Sequence, residues 1–287
     1  MPDRLRPLWD FADLDGSERR FREALDGEPS PAGRAEILTQ LARVEGLRGD
    51  FEAGERLVAE AVSVAAGELV PRVRIDLERG RLHRSSGDRE SAFPLFESAY
   101  ALALEADEGF LAGDAAHMAA LAAPDRDGHL KWTECGIALA ESSEDAGYWL
   151  GPLLNNLGWE HYEAGEYGEA LSAFSRALAA REDDPKNPDP IALARYAVGK
   201  ALRALGRSDE AVTLLEQAVA WAESEDAPDG WYHEELALEY DALGRAHDAR
   251  EQARLAIPLL EQADPSFSED SERSGRLRAL AGIIGPT

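Results

Sequence analysis

Residues 154–177 read LNNLGWEHYEAGEYGEALSAFSRA, and this stretch decides the fold. Its first half places side chains at i, i+3 and i+7, the spacing of one helix face: Leu154, Leu157 and His161. Its second half repeats this kind of spacing at Ala170, Phe174 and Ala177. Between the halves, Gly165 suits the left-handed backbone that ends many helices. The stretch therefore predicts two helices joined by a tight turn.

The same pattern recurs along the chain with a period of 37 to 41 residues. An alanine marks each repeat: Ala24, Ala61, Ala99, Ala138, Ala177, Ala218 and Ala256. A glycine precedes five of these alanines by twelve residues: Gly49, Gly87, Gly165, Gly206 and Gly244. A glycine or alanine precedes the last six by nineteen residues: Ala42, Gly80, Ala119, Gly158, Gly199 and Ala237. Several residue types that share one period of this length predict a solenoid of stacked units.

The repeated positions resemble the tetratricopeptide repeat family, whose pattern is Leu-Gly, Tyr, Gly-x-Tyr and then Ala, Phe and Ala. The best match comprises Leu157, Gly158, Tyr167, Ala170, Phe174 and Ala177. One copy is degenerate, with Arg126 at the glycine position and Lys131 where a small residue is expected. The family period is about 34 residues. The longer period resembles, in geometry only, that of kinesin light chains and of some bacterial peptide-sensing regulators.

This resemblance implies an all-α fold, a right-handed solenoid of stacked helical hairpins. We expect an N-terminal segment with a partial repeat helix at residues 1–33. Six hairpins, the third degenerate, are expected at residues 34–263, and a C-terminal capping helix at residues 264–287. In the degenerate hairpin, Cys135 takes the place that Phe96 holds elsewhere, so we expect it to be a small core residue. The small side chains of this hairpin predict a bend or a space for a bulky ligand group beside His117, with normal stacking as the alternative.

The charge of the chain narrows the range of its partners. Its 30 basic and 56 acidic residues give a formal net charge of −26, whereas nucleic acids and anionic membranes attract basic surfaces. We therefore expect neither as a partner. No stretch is apolar over the roughly 18 residues that a transmembrane helix needs. The single cysteine, Cys135, excludes an internal disulfide, so a reducing cytoplasm is the expected location.

The sequence offers no motif for catalysis. It has no glycine-rich phosphate loop and no His-Glu-x-x-His or Cys-x-x-Cys pair. His161 falls at a core position of the repeat, where packing explains it better than metal binding. We therefore expect no enzyme activity, no catalytic residue, no cofactor and no metal site.

In tetratricopeptide solenoids the first helix of each hairpin lines an inner groove, and positions 2, 5, 9 and 12 of each repeat point into it. We call these the inner positions. The ligand-binding residues that the resemblance implies are Arg43, Arg74, Arg81, Arg84, Asn155, Trp159, Tyr162, Tyr196, Lys200 and Arg203. Six of the nine charged residues at inner positions are basic. This predicts a cationic groove for an acidic peptide or a C-terminal carboxylate, with aromatic rings covering apolar side chains. The alternative is that the arginines form ion pairs between repeats.

The function expected from the resemblance is a non-catalytic scaffold that binds a protein or peptide. The alternatives are a structural self-association module, which forms a homodimer, and a regulatory peptide sensor. An open groove would favour the binding scaffold. A groove filled by a second copy, or by the chain's own terminus, would favour self-association.

Overall fold

The computed structural model describes residues 3–182 and 189–283, and every regular element within these ranges is a helix. The predicted all-α class is therefore confirmed. The chain divides into two compact units, Met1–Leu153 and Leu154–Thr287, which we call the N-terminal and C-terminal units. None of the helices in the described ranges is both long enough and apolar enough to cross a membrane.

The N-terminal unit contains seven complete α-helices and two short 3-10 segments, at Arg6–Leu8 and Glu144–Trp149. The helices are α1 (Leu14–Gly27), α2 (Pro31–Arg48), α3 (Phe51–Val64), α4 (Leu69–Ser85), α5 (Arg89–Glu105), α6 (Gly109–Ala122) and α7 (Arg126–Ser142). The pairs α2–α3, α4–α5 and α6–α7 pack as hairpins. The first helices of successive hairpins are also neighbours, α2 with α4 and α4 with α6.

The division between the units falls within α8 (Leu150–Glu163). The remaining helices are α9 (Tyr167–Glu182), α10 (Asp189–Ala204), α11 (Ser208–Ser224), α12 (Gly230–Ala242), α13 (Ala246–Ala263) and α14 (Ser271–Ala281). In the C-terminal unit, α10 packs on α11, α12 on α13, and α14 on α13. Phe267 and Leu277 are buried in the cluster under α14, so this last helix covers apolar surface of α13.

The regular hairpin turns share a left-handed glycine, and before α3 and α5 an aspartate follows it as the helix cap. Gly49 ends α2 with φ +82°, and the side chain of Asp50 accepts a hydrogen bond from the Ala53 amide at the start of α3. A residue with a Cβ would pay about 1–2 kcal/mol for this backbone. The glycine that precedes the marker alanine by twelve residues is therefore the residue that allows the turn.

Small residues allow the two helices of a hairpin to approach closely. A Cβ added to Gly158 on α8 would lie 2.3 Å from the ring of Phe174 on α9. At Gly80 on α4 it would lie 2.6 Å from the ring of Phe96 on α5. Both phenylalanines are fully buried. The ring on the second helix thus occupies the space that a side chain on the first helix would need.

The degenerate hairpin, α6 and α7, turns differently from the others. Pro124 and Asp125 replace the left-handed glycine, and the Asp125 side chain accepts a hydrogen bond of 2.8 Å from the Gly128 amide. Ala119 is fully buried at its expected place on α6, but α7 begins two residues earlier than the repeat predicts. As a result Ala138 is exposed, and Gly136 is buried in its place against Leu153.

The prediction that Cys135 is a core residue is wrong because of this shorter turn. Counting eight residues from the helix cap, Asp88 leads to Phe96, whereas Asp125 leads to Thr133, which is fully buried. Cys135 is only half-buried, and its thiol donates to the Tyr100 hydroxyl across 3.2 Å.

The close approach predicts opposite effects for two glycine substitutions in one hairpin. Gly158→Ala places a methyl group against Phe174, so we expect it to lower the free energy of unfolding by about 1–3 kcal/mol. Gly168→Ala in α9 meets no atom within 4 Å, so it should be neutral or stabilise by up to about 1 kcal/mol. Chemical denaturation of both variants measures the difference. Equal stability of the two would contradict the assigned helix packing.

Candidate functional site

The inner positions of the N-terminal unit are covered by the chain itself. Residues 3–11, which we call the N-terminal segment, lie on α2 and α4. Arg74 on α4 donates to Asp3 (Nη2 to Oδ1, 2.5 Å), and Arg4 donates to Glu36 on α2 (Nη2 to Oε1, 3.0 Å). Leu5 is 2 % exposed. The predicted binding residue Arg74, and Glu36 on the neighbouring first helix, therefore bond to residues of the same chain.

Aromatic side chains of the N-terminal segment continue this cover. The Trp9 indole donates to Gln40 on α2 (Nε1 to Oε1, 2.9 Å). Its ring stacks on Phe11 at a centroid distance of 4.8 Å. The Arg43 guanidinium lies 5.6 Å from the Trp9 ring and 5.4 Å from the Phe11 ring. The predicted binding residue Arg43 thus contacts the segment through cation–π geometry.

The degenerate hairpin leaves no space of the kind predicted beside His117. Trp149 fills it: a Cβ on Gly113 would lie 2.4 Å from the Trp149 ring, and the ring centroids of Trp149 and His117 are 5.3 Å apart. The Trp149 indole donates to the Phe110 carbonyl across 2.8 Å. The small inner residues of α6 therefore accommodate a tryptophan from the 3-10 segment that follows α7.

Three of the four predicted binding arginines of the N-terminal unit, Arg43, Arg74 and Arg81, form internal ion pairs. Arg81 donates to Glu78 at 2.6 Å and to Asp114 on α6 at 2.5 Å. Burial raises the pKa of Asp114, but Arg81 and Arg43 lower it further, so the pKa lies below its usual value. No acidic side chain raises the pKa of Arg84. Burial and the neighbouring charges of Arg89 and Arg81 lower that pKa.

In the C-terminal unit, aromatic rings from three first helices form a continuous row. Its members are Tyr162 and Trp159 on α8, Tyr196 on α10 and Tyr232 on α12. Successive ring centroids are 5.6, 6.4 and 5.2 Å apart. We call this set the aromatic row. Trp159 and Tyr162 are half-buried, whereas Tyr196 and Tyr232 are buried in the core. Leu193, at an inner position of α10, is 39 % exposed.

Both predicted cations of the C-terminal unit share one buried carboxylate beside the aromatic row. Lys200 donates to Glu235 on α12 (Nζ to Oε1, 2.5 Å), and Arg203 donates to the same group (Nε to Oε2, 2.6 Å). Burial raises the pKa of Glu235, whereas Lys200 and Arg203 lower it more, so the carboxylate stays charged at neutral pH. Lys200 also lies 5.7 Å from the Tyr196 ring.

Two further polar groups of the C-terminal unit are buried. Glu239 is fully buried, and burial raises its pKa, partly offset by Ser208 and Arg203. The Oδ1 atom of Asn155, a predicted binding residue, is buried and has no hydrogen-bond partner among the described residues. Within those residues, no three His, Cys, Asp or Glu side chains are grouped as metal ligands would be.

Comparison with known proteins shows which kind of repeat the chain contains. Two tetratricopeptide repeat family models match residues 151–184 and 192–225. This chain contains tetratricopeptide repeats. Such repeats indicate a protein–protein interaction scaffold in general. No curated protein matches the sequence.

Solved structures share the tetratricopeptide fold at low sequence identity. The apo form of RapI matches with a TM-score of 0.72 at 12 % identity, over 97 % of this chain and 80 % of that one. A signal transduction ATPase with a tetratricopeptide repeat sensor, from Pyrococcus horikoshii, gives 0.73 at 14 %, over 96 % and 43 %. A chain of the APC/C hetero-tetramer Cut9-Hcn1 gives 0.67 at 15 %, over 98 % and 48 %. This chain spans about half the length of the last two, and the likeness concerns the fold alone.

Two acidic partners of the predicted cations, Glu78 and Glu235, were missed by the sequence analysis because they lie outside the inner positions. Glu78 and Glu235 both stand at position 6 of a repeat. Each lies 35 residues after a cation at position 9 of the preceding repeat, namely Arg43 and Lys200. A repeated spacing of this kind is a signal that the sequence contains. It supports the interpretation of the arginines as ion pairs between repeats.

The surroundings of His117 predict a pH dependence of stability. Burial is the main cause that lowers the pKa of His117 from 6.5 to about 4. Asp114 raises this pKa, whereas the positive charges of Arg81, Arg84 and His129 lower it further. The His117 imidazole therefore takes up a proton near pH 6.5 in the unfolded chain, but only near pH 4 in the folded chain. Stability contributed by the neutral imidazole is complete above pH 6.5 and is lost as the pH falls towards 4.

We expect His117→Gln to remove this dependence. Between pH 7 and 4.5 the wild type should lose on the order of 2 kcal/mol of unfolding free energy relative to the variant. Urea denaturation of both proteins across this range measures the difference. Parallel pH curves would show that His117 titrates normally.

Proposed function

We propose that the C-terminal unit binds a protein or peptide segment along the aromatic row. The observation that carries the proposal is the accessibility of Trp159, Tyr162 and Leu193, because matching positions of the N-terminal unit lie under the chain's own residues. Half-buried aromatic rings with exposed faces supply much of the contact energy in protein recognition. The role is that of a non-catalytic scaffold, and the single cysteine fits a reducing cytoplasm.

The chemistry of the ligand follows from the charges beside the row. Lys200 and Arg203 are both paired with Glu235, which compensates one of their two positive charges. A ligand carboxylate, from an acidic side chain or a C-terminus, would have to compete with Glu235 for the same two cations. We therefore propose a ligand with an apolar anchor on the row, and an acidic group near Lys200 and Arg203 as its secondary contact.

The aromatic row is tested by exchanging one tryptophan. Trp159→Leu removes the centre of the row, whereas Trp221→Leu removes a partly buried tryptophan of the second helix α11 as a matched control. Peptides selected from a random ten-residue library against the wild type should bind the Trp159 variant at least about tenfold more weakly. The Trp221 variant should bind them within about twofold. Equal losses in both variants would contradict the proposed site.

The acidic contact is tested at Glu235. Charge reversal of Lys200 and Arg203 would surround a buried carboxylate with like charge and unfold the unit. Glu235→Gln instead frees both cations. We expect this variant to bind peptides with free C-terminal carboxylates more tightly than their amidated forms, with a gain that shrinks as salt rises. If free and amidated peptides bind this variant equally, the proposed acidic contact is wrong, and only the proposed binding along the aromatic row remains.

Self-association is a second candidate, favoured by the N-terminal segment on the inner positions of its own unit. A segment that fits the groove of its own chain also fits the groove of another copy. Sedimentation equilibrium across a hundredfold range of concentration tests this candidate. A constant monomer mass would exclude it.

A further inference from the structure

The N-terminal segment contacts α2 and α4 almost entirely through side chains. Asp3 accepts from Arg74, Arg4 donates to Glu36, and Trp9 donates to Gln40. The backbone N–H groups of Arg6, Leu8 and Trp9 bond inside the segment, in its 3-10 turn. Its backbone bonds to side chains outside it are to α1: the Leu8 carbonyl accepts from Arg20, and Asp10 exchanges two hydrogen bonds with Ser17. These are contacts that a separate peptide could form as well, because none requires the covalent link to α1.

The apolar residues of the segment act as anchors. Leu5 is buried in a cluster formed by α1, α2, α3 and α4, and the Trp9 ring meets Phe21 on α1 edge-on at 5.1 Å. Phe11 is 47 % exposed and lies over Arg43. The pattern is the acidic residue Asp3, an aliphatic anchor two positions after it and a tryptophan six positions after it. An indole in a pocket with a satisfied N–H is a common centre of binding energy.

The segment fills its place closely. The cavity between it and the helices has a volume of about 30 Å³ and is lined by Asp3, Trp9, Gln40, Arg74 and Asp114 among others. This is room for ordered water but not for a second peptide. Anything that binds the inner positions of the N-terminal unit must therefore displace the segment.

We propose that the inner face of the N-terminal unit is a peptide-binding groove that the N-terminal segment occupies as an internal ligand. The partner is a peptide segment with the same chemistry, an acidic residue followed by an aliphatic anchor and a tryptophan, and it binds by replacing residues 3–11. The proposal is independent of the site on the aromatic row. A tethered segment has an effective concentration in the millimolar range, so the groove is closed to weak competitors and opens to strong ones.

A peptide supplied in trans tests the groove. The probe is a fluorescein-labelled peptide of residues 1–13, and the receptor is the full chain with Asp3→Ala and Trp9→Ala, which weakens the internal ligand and leaves the groove unchanged. We expect the probe to bind this variant at least tenfold more tightly than the wild type. Adding Gln40→Ala and Arg43→Ala to the variant should remove the gain. A folded variant that binds the probe no better than the wild type overturns the proposal.

Hydrogen exchange on the wild type decides the matter if the variant does not fold. We expect the amides of residues 5–10 to exchange at least a hundredfold faster than those of residues 37–44 in α2, because the segment opens locally. They should also exchange at least tenfold more slowly than in the free probe. If residues 5–10 exchange as slowly as α2, the segment unfolds only with the whole unit, and the proposal is wrong.

Discussion

The structure depends on the contact between a small residue on one helix and a large side chain on the next. Gly80 faces Phe96, Gly158 faces Phe174 and Gly199 faces Leu215, each at a distance that leaves no room for a Cβ. Helices that approach so closely expose a broad apolar face, which they can bury only against the next hairpin. Stacking follows, and it aligns the first helices so that their remaining side chains form one surface within each unit.

Stacking also determines where the charges are paired. Arg43 reaches Glu78, and Lys200 reaches Glu235, in each case from one first helix to the next. A carboxylate that is only 2 % exposed, as both of these are, is costly to bury unless a cation compensates it. These cations therefore stabilise the contact between repeats. On the inner surface, Trp159 and Tyr162 of the aromatic row are half-buried, whereas Trp9 and Trp149 are engaged in contacts within the N-terminal unit.

The periodic part of this arrangement was predictable from the sequence, and the rest was not, for a physical reason. Gly49, Gly165 and Phe174 repeat a local constraint, so their roles follow from spacing alone. Trp149 and the N-terminal segment lie outside the repeat, and their positions depend on tertiary contacts that no period encodes. The error at Cys135 arose within the repeat, because Pro124 and Asp125 shorten one turn by two residues and shift everything after it. The ten predicted binding residues stay a prediction.

The central claim is that the inner surface is covered in the N-terminal unit, whereas Trp159, Tyr162 and Leu193 keep part of it accessible in the C-terminal unit. Leu77 and Leu193 test it directly, because both are leucines at inner positions, 1 % and 39 % exposed respectively. Hydroxyl-radical footprinting with mass spectrometry measures how fast each is oxidised in the native chain, with denatured chain as the reference. The account predicts that Leu193 reacts at least about tenfold faster than Leu77 in the native chain and at an equal rate in denaturant. Equal rates in the native chain would contradict it.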